Sequence, residues 1–533
     1  MYLAGIGPVA PQQDDRLTLA TAETDMNQET LAGGFEQSFS RYKDRTAIVF
    51  LREGVVETRL TYENLRGDSL RFARWLLSRD IGKGDRVVLF FPKCPAFVTA
   101  YLALQWIGAA AVPLNPRFKP SEMEYLLRDA EPKLVLAGAE EEDVVKRTET
   151  GFPVRVVDAR APYGEASLPG EDPGGPLALP DLDPSDPALV IYTSGTTGNP
   201  KGAMLTQGNL ANDARNVVRV WEITGEDVLC HALPLFHVHG LCFALHTALL
   251  QGCRVVMTDL FRPREAAEVL ADKDRFGCTL FMAVPTMYRK LLENLGDPPP
   301  DFGHMRLWTS GSAPLPPKEF RRIEDLLGQE PVEREGMSET GMNFSNPVRG
   351  ARKPGSIGLP LPGVSVRVVD PASGQDVPAG EEGELWLRSA SIIPGYWRKP
   401  EETAKTFRNG WFRTGDLGRV DEEGYYYLTD RLKHIIISGG ENISPKEIEN
   451  VIDKLEGVAE SSVTGIPDEQ WGEKVAAAVV AKPGASLSRE EISAWCRKHL
   501  HDWKCPKEIA FVDRLPRNTM GKVLKEDVKK AFE

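Results

Sequence analysis

The sequence is poor in histidine and cysteine, with eight and seven in 533 residues. The cysteines (Cys94, Cys230, Cys242, Cys253, Cys278, Cys496, Cys505) form no C-x-x-C pair. Their odd, scattered placement argues against a disulfide framework and for reduced thiols in a cytoplasmic protein. No apolar run approaches the ~18 residues that span a bilayer, and the first residues lack the basic-then-apolar order of a secretory signal. No membrane span is therefore expected. Positive charge is also in deficit: Lys+Arg is 64 against Asp+Glu 77, a net −13. That balance excludes broad nucleic-acid binding, so a polyanionic ligand must be held by a local site. What remains is an ordinary globular composition, 41% hydrophobic and 26% charged, long enough for roughly two to four domains.

Residues 1–33 read as a polar leader before Phe35. Thr61 is the expected cap of a helix over Thr61–Leu77, with Leu65, Phe72, Trp75 and Leu76 on one face. Arg86–Phe91 reads as a buried strand, Ala96–Ile107 as an apolar helix and Ala109–Pro113 as another strand; strand patterns recur at Leu134–Leu136 and Val154–Val157. This alternation predicts an α/β fold with parallel sheets and flanking helices. Residues 161–187, rich in Pro, Gly, Asp and Glu, read as a linker.

The most informative stretch is Val-Ile-Tyr-Thr-Ser-Gly-Thr-Thr-Gly-Asn-Pro-Lys-Gly, residues 190–202. A β-branched strand stops in hydroxyls and glycines, followed by Lys201. Glycines let backbone N–H groups approach a ligand closely, and successive N–H groups form an anion-binding nest. The P-loop pattern G-x-x-x-x-G-K-[ST] is absent. A helix is expected over Leu205–Val220.

From Tyr192 to Gly202 the chain resembles the phosphate loop of the adenylate-forming superfamily, which comprises acyl-CoA synthetases, peptide-synthetase adenylation domains and luciferase. The resemblance extends over most of the chain. It implies a large N-terminal domain of layered parallel sheets with a β subdomain, residues 34–431, binding AMP and the acyl group. It also implies a small mobile α+β domain, residues 432–533. Thr193, Ser194, Gly195, Thr196, Thr197, Gly198 and Lys201 are implied phosphate contacts. Gly311, Ser312 and Ala313 are implied to lie against adenine. In Glu335-Gly336-Met337-Ser338-Glu339, Ser338 is implied to touch the α-phosphate and Glu339 to hold Mg²⁺. Glu335 departs from the pattern, because an aromatic usually stacks on adenine there. Asp416 is implied to grip the ribose hydroxyls, with Arg431 as a second ribose or phosphate contact. Lys522, after Pro516-Arg517-Asn518, matches the catalytic lysine.

Lys433 matches the hinge, and Gly439-Gly440 the channel for the pantetheine arm. Ser444-Pro445-Lys446-Glu447 has the cap, proline and glutamate of a helix start. Phe236 or His237 is implied to line the acyl pocket, with Gly311. His237-x-His239 has the spacing of a metal pair but no cysteine or acidic partner at ligand spacing.

The implied reaction joins a carboxylic acid to coenzyme A, using ATP and Mg²⁺ and releasing AMP and pyrophosphate, in a monomer or homodimer. Several segments resemble the malonyl-CoA synthetase group, among them Met305–Leu307, Ser310–Leu315 and Pro516–Lys522. Lys290 stands where that group places a carboxylate-binding arginine, and lysine cannot pair bidentately. A short or medium-chain monocarboxylate or an aryl acid stays open beside malonate. So does transfer to a carrier protein in place of free coenzyme A. A luciferase-like oxidase is disfavoured by Ile437, where a lysine is used.

Overall fold

The computed structural model describes residues 29–164, 167–193, 200–438, 441–468, 471–518 and 521–533. Two large sheets form the body. One has seven strands in the order Gly395–Tyr396, Lys201–Thr206, Pro187–Thr193, Ala110–Pro113, Arg86–Phe90, Leu134–Gly138, Val154–Val157. From Pro187–Thr193 onward its strands run parallel. The other has nine strands, with a parallel centre built from Val332–Met337, Leu307–Ser310, Leu280–Ala283, Val228–His231, Arg254–Thr258 and Thr46–Arg52. Antiparallel strands close both of its edges.

The reasons are local as well as global. Thr61 caps the helix Tyr62–Leu77 through a reciprocal box with Asn64, each backbone N–H donating to the other's side-chain oxygen at 3.0 Å. The helix Pro95–Trp106 is apolar on every face and buried along its whole length, as an all-round hydrophobic helix must be. The core that includes it joins both sheets.

Two sequence expectations fail at their edges. The leader ends before Leu31, because Thr30 Oγ1 accepts from the Gly33 N–H and starts a helix, Leu31–Arg41, with Leu31 and Phe35 buried. Its Gly33-Gly34 pair hides that helix from a propensity reading. Residues 1–28 lie outside the described residues. The second failure follows the phosphate loop: Lys201–Thr206 is a strand antiparallel to Pro187–Thr193, and the helix starts only at Gln207, capped by Thr206.

A five-stranded antiparallel sheet, including Gly383–Arg388, Trp411–Val420 and Tyr426–Arg431, packs over its own small core. Sheet membership changes between Arg431 and Ile436. The strand Ile436–Ser438 belongs to a separate five-stranded sheet around Ile443, Ile448, Val463, Val475 and Ile492. Ser444 caps the first helix of that unit, Pro445–Ile452.

Candidate functional site

The two large sheets meet where Thr193, Glu339 and Tyr396 come together. Thr193 ends its strand there, and Glu339 stands in the turn between Val332–Met337 and Gly341–Ser345. Glu339 Oε1 accepts from Thr193 Oγ1 and from the Tyr396 hydroxyl, each at 3.2 Å. Burial and the Glu339 carboxylate push the Tyr396 phenol up, so it stays a donor. Oε2 of Glu339 has no hydrogen-bond partner among the described residues. A buried carboxylate fixed by one oxygen and free at the other suits a hard cation shared with phosphate oxygens. Among the described residues no three His, Cys, Asp or Glu side chains gather to hold a metal, so the other ligands of a cation at Glu339 would come from the nucleotide and water. Ser194–Gly198 lie outside the described residues. Lys201 is engaged with Glu402 and lies 5.5 Å from the Tyr396 ring centroid.

On the adjoining β sheet, Asp416 and Arg431 are register partners across a hairpin. Arg431 Nε meets Asp416 Oδ1 at 2.6 Å, and Nη2 donates to Oδ2 at 3.3 Å. Asp416 is buried and Arg431 half-buried. Glu335, on the strand Val332–Met337, accepts from Asn343 Nδ2 at 3.0 Å. Burial, then the nearby Asp416 carboxylate, push its carboxyl up to about 7, against the pull of Asn343, Arg431 and Arg334.

One residue back on the same strand lies Arg334, which sequence reading did not single out. It is 2% exposed, and none of its three guanidinium nitrogens has a hydrogen-bond partner among the described residues. Its Cζ sits 5.0 Å from the Phe243 ring centroid. A Cβ on Gly311 would come within 2.6 Å of the guanidinium, so a larger residue at that turn would have to displace the Arg334 side chain. Burial brings Arg334 down to about 10, opposed by Glu335, Asp213 and Tyr288; it remains a cation.

Two histidines belong to the same part of the chain's interior. His239 begins a π-helical segment, His239–His246, whose irregular ladder is a common feature of functional sites. His239 Nδ1 lies 3.1 Å from Ser312 Oγ, and its Nε2 is orphaned. Burial, then the Arg334 charge, hold it well below the usual histidine range. His237 is brought down to about 4 by burial, its Nε2 also unpaired, its ring 4.6 Å from that of Phe236. Arg334, His239 and His237 are thus a cation and two neutral imidazoles whose orphaned nitrogens are costly to bury.

The remaining candidates fall as follows. Gly336 is packed so closely that a Cβ would meet the Gly341 carbonyl at 2.7 Å, and Met337 and Ser338 are half-buried beside it. Ser312 is exposed at φ +67° and Ala313 half-buried. Lys290 is exposed on the helix Pro285–Leu292, whereas Arg334 is buried. Gly521 packs on the large domain, where a Cβ would meet Thr286 Oγ1 at 2.6 Å. The adjacent Lys522 is half-buried, its turn closed by the Lys522 N–H donating to Asn518 Oδ1 at 2.9 Å. The Lys433 side chain and Gly439-Gly440 lie outside the described residues.

Comparison with known proteins agrees with this architecture. The family model for AMP-binding enzymes matches residues 35–397, and that for the AMP-binding enzyme C-terminal domain matches 447–522. The mitochondrial malonate–CoA ligase of Bos taurus is 36% identical over 533 residues, covering 91% of this chain and 90% of the relative. A long-chain-fatty-acid–CoA ligase of Bacillus subtilis is 33% identical over 537 residues, 94% of each. The crystal structure of ATP-bound MatB from Rhodopseudomonas palustris superposes with a TM-score of 0.86 at 37% identity, covering 94% of this chain and 99% of that one. The chain belongs to the AMP-binding enzyme family and is an acid–thiol ligase that uses ATP and coenzyme A.

Proposed function

We propose that this ligase activates a small carboxylic acid bearing a second anionic group. The reacting carboxylate oxygen attacks the α-phosphorus of ATP, pyrophosphate leaves, and an acyl adenylate forms. The thiol of coenzyme A then displaces AMP. No general base is needed in the first step, because the carboxylate arrives ionised. What the protein must supply is charge neutralisation where two anions meet. Lys522 is assigned to that junction, the Thr193–Lys201 loop to the phosphates, and Asp416 with Arg431 to the ribose. Glu339 would hold Mg²⁺, which neutralises phosphate charge when bound. Rotation of the 432–533 unit about Lys433 would withdraw Lys522 and present Gly439-Gly440 to the thiol.

The observation that carries the substrate assignment is Arg334: a buried guanidinium with no hydrogen-bond partner among the described residues. An unpaired buried charge costs several kcal/mol, which an anionic ligand beneath Gly311 would offset. His239 and His237 offer unpaired nitrogens to the same group. The name of the malonate relative agrees with this class; that of the long-chain-fatty-acid relative does not. The test is AMP formation with malonate and succinate against acetate, hexanoate and benzoate, with and without coenzyme A. Preference for the first two supports the reading; preference for any monoacid overturns it. Adenylate formed without turnover on free coenzyme A would favour a carrier protein as acceptor.

A further inference from the structure

Asp430 is the last residue but one of the strand Tyr426–Arg431, in the antiparallel sheet of the large domain. The chain leaves that sheet over residues 432–435 and enters the separate sheet at Ile436. Asp430 reaches across this crossing. Its Oδ2 accepts from Ser444 Oγ and from the Lys446 N–H, each at 2.9 Å. Both donors sit at the start of the helix Pro445–Ile452, whose buried face belongs to the core of the second unit. The Asp430 side chain is 5% exposed, and hydrogen bonds to a carboxylate shielded in this way are among the stronger ones. Elsewhere the two sides face each other across a cavity of about 750 Å³, lined by Arg289 of the large domain and by Arg514, Leu515, Arg517 and Lys530 of the 432–533 unit. Arg517 is engaged with Glu460 and Lys530 with Asp527, each on its own side of the cavity. The charge left toward Arg289 is that of Arg514, and like charges do not draw a cleft shut. Close approach returns at Gly521, where a Cβ would meet Thr286 Oγ1 at 2.6 Å, with Lys522 next in the chain.

We propose that Asp430 is a positioning residue for the first half-reaction: its hydrogen bonds to Ser444 and Lys446 hold the 432–533 unit in the arrangement that sets Gly521 and Lys522 against the large domain. Both donors lie beyond the 432–435 crossing, so a rotation there carries them away from Asp430 and breaks both bonds. A contact made in one arrangement and lost in the other biases the equilibrium by its own strength. Adenylation is therefore favoured while the bonds are closed, and thioester formation requires that they open. The inference rests on the proposed roles of Lys522 and of the rotation, and on nothing about the acid.

The test separates the half-reactions in the full-length wild type, Asp430→Ala and Asp430→Asn. Pyrophosphate release from ATP and the best acid of the panel above reports the first step; thioester formation from preformed acyl adenylate and coenzyme A reports the second. Asp430→Ala should release pyrophosphate ~10-fold more slowly, the order expected for a hydrogen bond to a charged group, while thioester formation holds or rises. Asp430→Asn, which keeps an acceptor oxygen, should fall between. A role in folding alone would lower both steps together. The arrangement itself is read by spin-label distances between Lys318→Cys and Lys498→Cys, both at exposed positions, the seven native cysteines being buried. With ATP and Mg²⁺ present, the ratio of the separation in this structure to all others should fall ~10-fold in Asp430→Ala. Equal loss of both steps, or an unchanged distance distribution, overturns the proposal. The distances need no acid substrate, so a protein that activates no dianionic acid would refute the proposed function and leave this inference to be decided by the distances.

Discussion

Arg334 and Glu335 are consecutive on one strand and serve opposite faces of it. The guanidinium packs against Phe243 beneath Gly311, while the carboxyl accepts from Asn343. The two-residue period of a strand sends neighbouring side chains apart, so one short segment presents a buried cation on one face and a carboxyl on the other.

Arg334→Met tests the first of these faces. With a dianionic acid, kcat/KM should fall by ~10²–10³-fold, the usual consequence of stranding a buried charge. The unliganded protein should be as stable as the wild type or more so, because an orphaned buried cation has been replaced by a side chain of similar length. A lower Tm, with all acids affected alike, would assign Arg334 to folding instead.

Lys522→Ala should lower AMP formation from ATP by ~10²–10³-fold, the order expected for deleting one preorganised charge. Thioester formation from preformed acyl adenylate should persist. Equal loss of both steps would contradict alternation of the two domains.

Tyr396→Phe removes one of the two hydroxyls that fix Glu339 Oε1. Partners of this kind orient a metal-binding carboxylate, and their loss typically weakens metal affinity 10–100-fold. The Mg²⁺ concentration giving half-maximal AMP formation should rise by roughly that factor. An unchanged requirement would place the cation elsewhere.

Asp213 is a pH-dependent weak point of the fold. Its Oδ1 accepts from the Met342 N–H at 2.8 Å, and burial pushes the carboxyl up to about 7 from an ordinary 3.8. The folded state thus holds a proton that the unfolded chain releases near pH 4. Stability from this group is complete below that pH and is lost as pH rises through about 7. Asp213→Asn keeps the acceptor without the charge. Thermal unfolding at about pH 8 should show the variant more stable by on the order of 2–4 kcal/mol, with the gap closing toward about pH 4. A pH-independent difference would mean that Asp213 stays ionised, paired with Arg334.

Much of this was legible before any coordinates. Thr61 and Ser444 announce their helices because a cap is a local hydrogen bond, written in adjacent residues. Asp416 and Arg431 are fifteen positions apart, yet the hairpin makes them partners; only the order of motifs hinted at that. Arg334 was hidden because Val-Glu-Arg-Glu reads as a solvated charged run, and its burial comes from Phe243 and the nine-stranded sheet, far away in sequence. Tyr396 has no role legible in the sequence, since its bond to Glu339 spans 57 residues. Lys290 is the opposite case: its motif is legible, and its turn of helix faces solvent. The strand Lys201–Thr206 was absorbed into the expected loop and helix, because its partner, Pro187–Thr193, determines its state more than its own residues do.

The central claim is that a second anionic group on the acid is what Arg334 awaits. The most direct measurement is pyrophosphate release by wild type and Arg334→Met, with malonate and hexanoate compared at matched subsaturating concentrations. The account predicts that the wild type favours malonate by at least ~100-fold and that the variant loses that preference while remaining folded. A wild type that favours hexanoate, or a variant that keeps its preference for malonate, would contradict it.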